Sequence, residues 1–260
     1  ARLAPQDCLA RLQAAGIAAV PGPVPGALRL EHALPVADIP GFAAGELSVQ
    51  DAASQLAAAL LGASPGMRVL DACAAPGGKT GQLLEQTAGR LDLLALDVDA
   101  GRMERVRENL ARLDLAAASC VADAAATATW WDGRPFDRIL VDAPCSGTGV
   151  IGRHPDIKLL RREADIGLMA RRQRELLEAL WPLLRPGGRL LYATCSILHE
   201  ENQAVVAGFL AVHPDAQPVE PLAGALPGWL RRTDPAGWQA LPGDAGTDGL
   251  YYALMTRRPG

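Results

Sequence analysis

Lysine is nearly missing from this chain. Of 25 cationic residues in 260, 23 are Arg, and the two exceptions are Lys79 and Lys158. With a net charge of −4 the chain lacks the overall basic balance of a nucleic-acid binder. Its arginines gather at 102–112, 161–162, 171–174 and 231–232, a pattern of solvated helix faces that leaves room for local basic patches. Cysteine is also sparse. Cys8, Cys73, Cys120, Cys145 and Cys195 are an odd number with no C-x-x-C pair, which excludes a disulfide framework. His32, His154, His199 and His213 are scattered, so no metal site is expected either. No apolar run approaches the roughly 18 residues a bilayer span requires, and no signal peptide opens the chain. A cytoplasmic protein without membrane contact is the expectation. The chain begins on Ala rather than Met, as an excerpt of a longer protein would.

What is present is an alternation of short apolar runs with amphipathic ones. Residues 1–47 stand apart as a small α+β appendage, with a helix at about 5–15 and the breaker cluster "VPGPVPG" at 20–26. Residues 48–260 read as one catalytic domain. Its first helix is expected from an N-cap at Ser48 to a stop at Gly62. From residue 67 the pattern runs strand, helix, strand, with strands expected to end near Asp71, Asp97, Asp123, Asp142 and Cys195. A long helix is expected over 165–184, closed by "RPGG", and two late strands near 237–241 and 249–256. Repeated βα units imply an α/β fold, a Rossmann-like parallel sheet covered on both faces. Ligands of such sheets bind at the carboxyl ends of the strands, where four carboxylates and one thiol fall on a single rim.

The turn after the first of these strands, "DACAAPGGKT" (71–80), fits two readings. As a phosphate loop it has Gly78, Lys79 and Thr80, but Cys73 stands where the first glycine belongs and Pro76 occupies the loop interior. As a nucleoside site it has Gly77 and Gly78 for close approach, and Asp97 about 20 positions on to meet ribose hydroxyls. Asp123 stands where an adenine edge would lie. Because G-x-G-x-x-G is absent, S-adenosyl-L-methionine fits better than a dinucleotide. At the end of the fourth strand, "DAPCS" puts Cys145 where methyltransferases acting on exocyclic amines often carry an aromatic. A thiol there suits carbon chemistry. Thiolate addition at C6 of a pyrimidine makes C5 nucleophilic, and the cycle needs a nucleophilic Cys, an acid near N3 and a base or second thiol. Cys145, Cys195 and Asp142 supply such a set, and the residues alone do not order the two thiols.

Together, "DACAAPGGKT", "DAPCSGTGVIGRHPDIK" (142–158) and "YATCS" (192–196) resemble the RNA cytosine-5 methyltransferase family. The stretches "SVQDAASQL" and "TDGLYYALM" are similar to its bacterial Fmu/Sun branch, which acts on 16S ribosomal RNA. The resemblance runs from about residue 25 to the end and implies a class I S-adenosylmethionine-dependent methyltransferase fold. It implies that Cys73, Ala74, Ala75, Pro76, Gly77, Gly78, Lys79, Asp97, Asp123 and Asp142 bind the cofactor or line its pocket. It implies that Cys195 is the nucleophile, that Cys145 assists release, and that Lys79 and Asp142 stand beside the target base. Arg153, His154 and Lys158 are the candidate RNA contacts. Fmu/Sun relatives carry an extra N-terminal helical RNA-binding domain, whereas only a short appendage precedes the catalytic unit here. The expected partner is 16S rRNA and the expected state a monomer. The rival readings are a non-enzymatic RNA-binding or ribosome-assembly module, a methyltransferase of tRNA or another RNA, and a DNA cytosine methyltransferase. Cys8 and Cys120 read as buried apolar filler.

Overall fold

A computed structural model describes residues 3–221 and 226–259. The alternation seen in the sequence becomes a two-faced sheet. Five strands run parallel in the order β5 (Ala118–Val121), β4 (Asp92–Asp97), β3 (Arg68–Ala72), β6 (Phe136–Asp142) and β7 (Leu184–Thr194). β11 (Tyr251–Arg257) then joins β7 antiparallel, followed by β10 (Trp238–Gln239) and β9 (Arg231–Arg232), while β8 (Ala216–Pro218) also pairs with β11. Successive side chains on a strand point to opposite faces, and the two cores divide accordingly. Val69, Ala95, Leu140, Leu191 and Ala193 pack beneath α2 (Leu56–Leu61), α3 (Gly78–Gln86) and α4 (Ala100–Leu113). Leu70, Leu96, Ile139, Val141, Leu190 and Tyr192 pack beneath α6 (Glu163–Leu180) and α7 (Gln203–Val212). Both faces are therefore covered, as near-continuous apolar parallel strands require.

Three expected boundaries move, each for a physical reason. Ser48 caps no helix, because the Asp51 carboxylate accepts the N–H of Ala53 (2.9 Å) and that of Asp248 (3.0 Å) and holds a turn instead. The helix starts only at Leu56, and Gly62 ends it in the left-handed conformation, as expected. The long helix covers 163–180, followed by a 3₁₀ turn over Trp181–Leu183 that contains Pro182. "RPGG" lies inside β7 rather than ahead of it. Leu184 pairs with Phe136 and Arg189 with Arg138, so the intervening residues of β7 bulge out of register.

Residues before the sheet form α1 (Pro5–Ala14) and a hairpin of β1 (Ala19–Pro21) and β2 (Leu28–Leu30), around a small core of Cys8, Leu12, Ala19, Ile39 and Leu47. Arg112 of α4 ties this unit down. Its guanidinium donates to the carbonyls of Phe42 (2.7 Å) and Leu47 (3.0 Å) and lies 4.0 Å over the Phe42 ring. Cys8 is buried and Cys120 half-buried, both among apolar neighbours. No helix among the described residues is long and apolar enough to cross a membrane.

Candidate active site

Register alignment makes the rim. Ala72 pairs with Leu96 and Val141, and Asp142 with Ala193, so β3, β4, β6 and β7 end side by side. The loop leaving β3 turns sharply, with Cys73 at φ 67° and Gly77 at φ 96°. A side chain at Gly77 would have its Cβ 3.1 Å from the Val106 Cα of α4, so glycine is needed for both space and conformation. The Ala75 N–H reaches the Asp97 carboxylate at 3.2 Å, and Asn109 holds the Gly77 carbonyl at 3.2 Å. Asp97, itself buried, also accepts the Asp99 N–H (3.1 Å) and faces Arg102 at 3.5 Å. Beyond the turn, the first N–H groups of α3 have no intrahelical acceptor and open toward the same rim.

Asp71 lies underneath, fully buried. One carboxylate oxygen accepts the Thr80 hydroxyl at 2.6 Å and the other has no partner. Burial pushes its carboxyl up to about 7; the Thr80 hydroxyl opposes that and the Asp142 carboxylate adds to it. Between the ordinary carboxylate range and 7 the folded protein keeps a proton that the unfolded chain has lost, so stability falls as pH rises, by on the order of 4 kcal/mol across the window. Asp71→Asn is neutral throughout and should lose less denaturant resistance than the parent between pH 5 and pH 8. An identical pH dependence would contradict the buried, protonatable carboxyl.

Lys79 Nζ and Asp142 Oδ2 form an ion pair of 2.7 Å, with the Lys79 side chain only 13% exposed. Burial pulls the ammonium down, but Asp142 and Asp71 outweigh it and hold it above its ordinary range. The lysine shortage is thereby rationalised at this position. A compact ammonium makes one short contact to Asp142 here, and it is not interchangeable with a planar guanidinium in so buried a place. Beside the pair, Cys145 and Cys195 approach to 3.2 Å between sulfurs. The hydrogen bond from Cys145 lowers the Cys195 thiol; burial and Asp142 oppose this, while Lys79 lowers it further. The same bond, with burial, raises Cys145 well above its ordinary range, and the Glu201 carboxylate adds to that. Both directions favour the anion on Cys195 over Cys145. Lys79→Met should raise the pH at which Cys195 becomes reactive to iodoacetamide and cut the turnover that depends on it about a hundredfold. An unchanged alkylation profile would contradict this coupling.

The other expected residues divide. Ala74 and Ala75 are buried and Pro76 exposed on the same turn. Burial pushes the Cys73 thiol up to about 12, and its side chain packs against the core beneath α6, so it offers the site backbone rather than a thiolate. Asp123 stands at the rim, where Arg172 grips its carboxylate and the Ala125 N–H donates to it at 2.9 Å. Although partial burial raises this carboxyl, the two donors hold it below its usual range. Arg153, His154 and Lys158 lie exposed on the segment that follows Cys145, with Arg153 paired to Asp248. Residues 157–160 form a short helix, α5 (Ile157–Leu160), whose Leu159 and Leu160 face outward.

Sequence reasoning missed the scaffold behind the thiols. Gly149 donates its N–H to the Cys195 carbonyl (2.8 Å) and accepts that of Gly249 (2.8 Å), stitching three segments together. Asn202 accepts the Thr194 hydroxyl (2.6 Å) and donates to the Ser196 carbonyl (2.9 Å) and to Gln239 (2.9 Å). Glu201 binds the serines that follow both cysteines. Glu201 and Asn202 stand in "SILHEEN" (196–202), just ahead of α7, where nothing local marks them.

A Rossmann-like sheet with carboxylates along its carboxyl-end rim is the architecture of S-adenosylmethionine-dependent methyltransferases, and solved structures share this fold. The chain is similar to PH0851 (35% identity, TM-score 0.89, covering 97% of this chain and 56% of that one). It is also similar to a methyltransferase homolog protein from Pyrococcus horikoshii (28% identity, TM-score 0.83, covering 98% and 83%). Residues 58–256 match the family of 16S rRNA methyltransferases RsmB/F, and the chain belongs to that family. Similar proteins include ribosomal RNA small subunit methyltransferase B of Pseudomonas putida, 54% identical over 228 residues (88% of this chain, 51% of that protein). The protein of that name from Xanthomonas campestris pv. campestris is 50% identical over 260 residues (99% and 58%). The chain thus spans little more than half the length of these relatives.

Proposed function

We propose that this chain is the catalytic part of an enzyme that methylates C5 of a cytosine in 16S rRNA, using S-adenosyl-L-methionine. The observation that carries this reading is the pair of thiols 3.2 Å apart beside the Lys79–Asp142 ion pair. A cationic sulfonium nucleoside suits a rim that carries Asp97, Asp123 and Asp142, with the unpartnered oxygen of buried Asp71 behind them. In this reading the backbone of residues 73–79 and the Asp97 carboxylate hold the cofactor, which supplies an electrophilic methyl group.

The target base must leave its helix to reach the rim. Cys195, the thiolate of the pair, adds at C6 and makes C5 nucleophilic. The acid at N3 is the Lys79–Asp142 pair rather than Asp142 alone, because its proton rests on Lys79. Covalent capture of Cys195 removes the acceptor that kept Cys145 protonated. Cys145 is then free to ionise, take the C5 proton and let the Cys195–C6 bond break. Arg153, His154 and Lys158 lead from the thiols outward and are assigned to the RNA strand. Residues 1–47 are assigned to an RNA-facing appendage and 48–260 to the catalytic domain, acting as a cytoplasmic monomer without a metal.

A bisulfite map of rRNA from cells with and without the protein tests the reading. One cytosine of 16S rRNA should lose protection in the deletion strain. No change in 16S rRNA, with a change in tRNA or none at all, would overturn the substrate assignment. Failure to bind S-adenosylmethionine in calorimetry would leave an RNA-binding module.

A further inference from the structure

Both cysteines are followed by serine, and both serines end on one carboxylate. Glu201 is completely buried. One of its oxygens accepts the Ser146 N–H at 2.8 Å and the Gln173 amide at 3.2 Å. The other accepts the Ser146 hydroxyl at 2.5 Å and the Ser196 hydroxyl at 2.6 Å. Gln173, buried on α6, also holds the Pro144 carbonyl at 2.9 Å, and the Tyr192 hydroxyl holds the Glu201 carbonyl at 2.5 Å. A buried carboxylate is tolerated only when its lone pairs are filled, and here the four donors come from the two thiol-bearing turns and the helix beneath them.

We propose that Glu201 is a positioning residue that clamps the turn after Cys145 to the turn after Cys195 and thereby sets the approach of the two sulfurs. It touches neither thiol. Ser146 is one residue beyond Cys145 and Ser196 one beyond Cys195, so each hydroxyl reports the placement of the neighbouring Cα. The Thr148 hydroxyl also lies within reach of the Ser146 (3.2 Å) and Ser196 (3.1 Å) hydroxyls, which approach each other to 3.4 Å, but Glu201 takes the shorter bond from each serine and is the charged member of the cluster. The significance of this clamp for catalysis rests on the proposed function, because it divides one reaction between two thiols that must meet the same ring. The clamp itself is a matter of geometry and can be tested without RNA.

The test compares the parent chain, Glu201→Gln and Ser196→Ala, each checked for folding by its thermal midpoint. Diamide takes two electrons and two protons from Cys145 and Cys195, forming one S–S bond and the hydrazide, and the rate is read by peptide mass spectrometry. A loss of positioning by about an ångström should slow this closure about tenfold to a hundredfold in Glu201→Gln. Ser196→Ala, which keeps both Ser146 contacts, should fall between the two and guards against a Glu201→Gln chain that does not fold. In methylation assays Glu201→Gln should lose kcat by a similar factor, with KM for S-adenosylmethionine unchanged. Parental closure rates in both folded variants would overturn the clamp. A parent that closes quickly but methylates no RNA would instead overturn the proposed function and leave the clamp standing.

Discussion

Under the proposed function, Cys195→Ala should abolish methyl transfer, and Cys145→Ala should leave the protein attached to its RNA. The two outcomes differ because the electrostatics of the pair differ. The Cys195 sulfur has the Cys145 sulfur at 3.2 Å and Lys79 as nearby cation, and both lower its thiol. The contact with Cys195 and burial raise Cys145 well above its ordinary range, so in the proposed cycle it stays protonated until its neighbour is consumed. Without Cys195 no bond to C6 forms, and turnover should fall by at least about a millionfold, as when other catalytic nucleophiles are removed. Without Cys145 the bond forms but elimination stalls, so a denaturant-resistant protein–RNA band accumulates. Multiple turnover should drop by more than about a hundredfold, the scale of lost acid–base assistance. A band with Cys195→Ala and none with Cys145→Ala would reverse the assignment of the two thiols.

The second large effect lies outside the reacting groups. A Cβ added at Gly149 would stand 1.9 Å from the Gly249 carbonyl oxygen and 2.7 Å from the Cys195 carbonyl oxygen. Both obstacles are backbone, so no rotamer change relieves the clash. Gly149→Ala must part the segment after Cys145 from the segment after Cys195, breaking the two 2.8 Å backbone hydrogen bonds at this crossing. Overpacking and the lost bonds together should cost about 2–4 kcal/mol in denaturant unfolding. The sulfurs should separate as well, so diamide closure slows in whatever fraction remains folded. Gly152, with no atom within 4 Å of its hypothetical Cβ, provides the control. Gly152→Ala should leave stability within about 0.5 kcal/mol, as for surface substitutions in general.

The strand ends were legible because parallel strands buried on both faces read as short apolar runs, and whatever polar residue follows such a run must sit at its rim. Asp97, Asp142 and Cys195 were located in this way, and β3, β4, β6 and β7 bring their ends together. Gly62 was legible as a helix stop because only the left-handed conformation was required of it. Ser48 was misread as a cap because the competing group, Asp51, gains its second bond from Asp248, 197 residues away. Glu201 was invisible for the same reason. Its partners come from positions 146, 173 and 196, and nothing local distinguishes a glutamate that will be buried from its neighbour Glu200, which stays exposed. The pairing of Lys79 with Asp142 likewise spans 63 residues, and its signals were lysine's rarity and the resemblance that put both residues beside the target base.

The central claim is that Cys195 bonds to the base while Cys145 stands by to release it. It is tested most directly by trapping the Cys145→Ala chain on a 16S rRNA fragment, digesting both components and sequencing the cross-linked peptide by mass spectrometry. The account predicts a methylated cytidine attached through Cys195, within "LLYATCSILHEEN" (190–202). A nucleotide attached at Cys73, Cys120 or any other residue would contradict it, as would a folded, cofactor-binding chain that forms no adduct with any cytosine of the fragment.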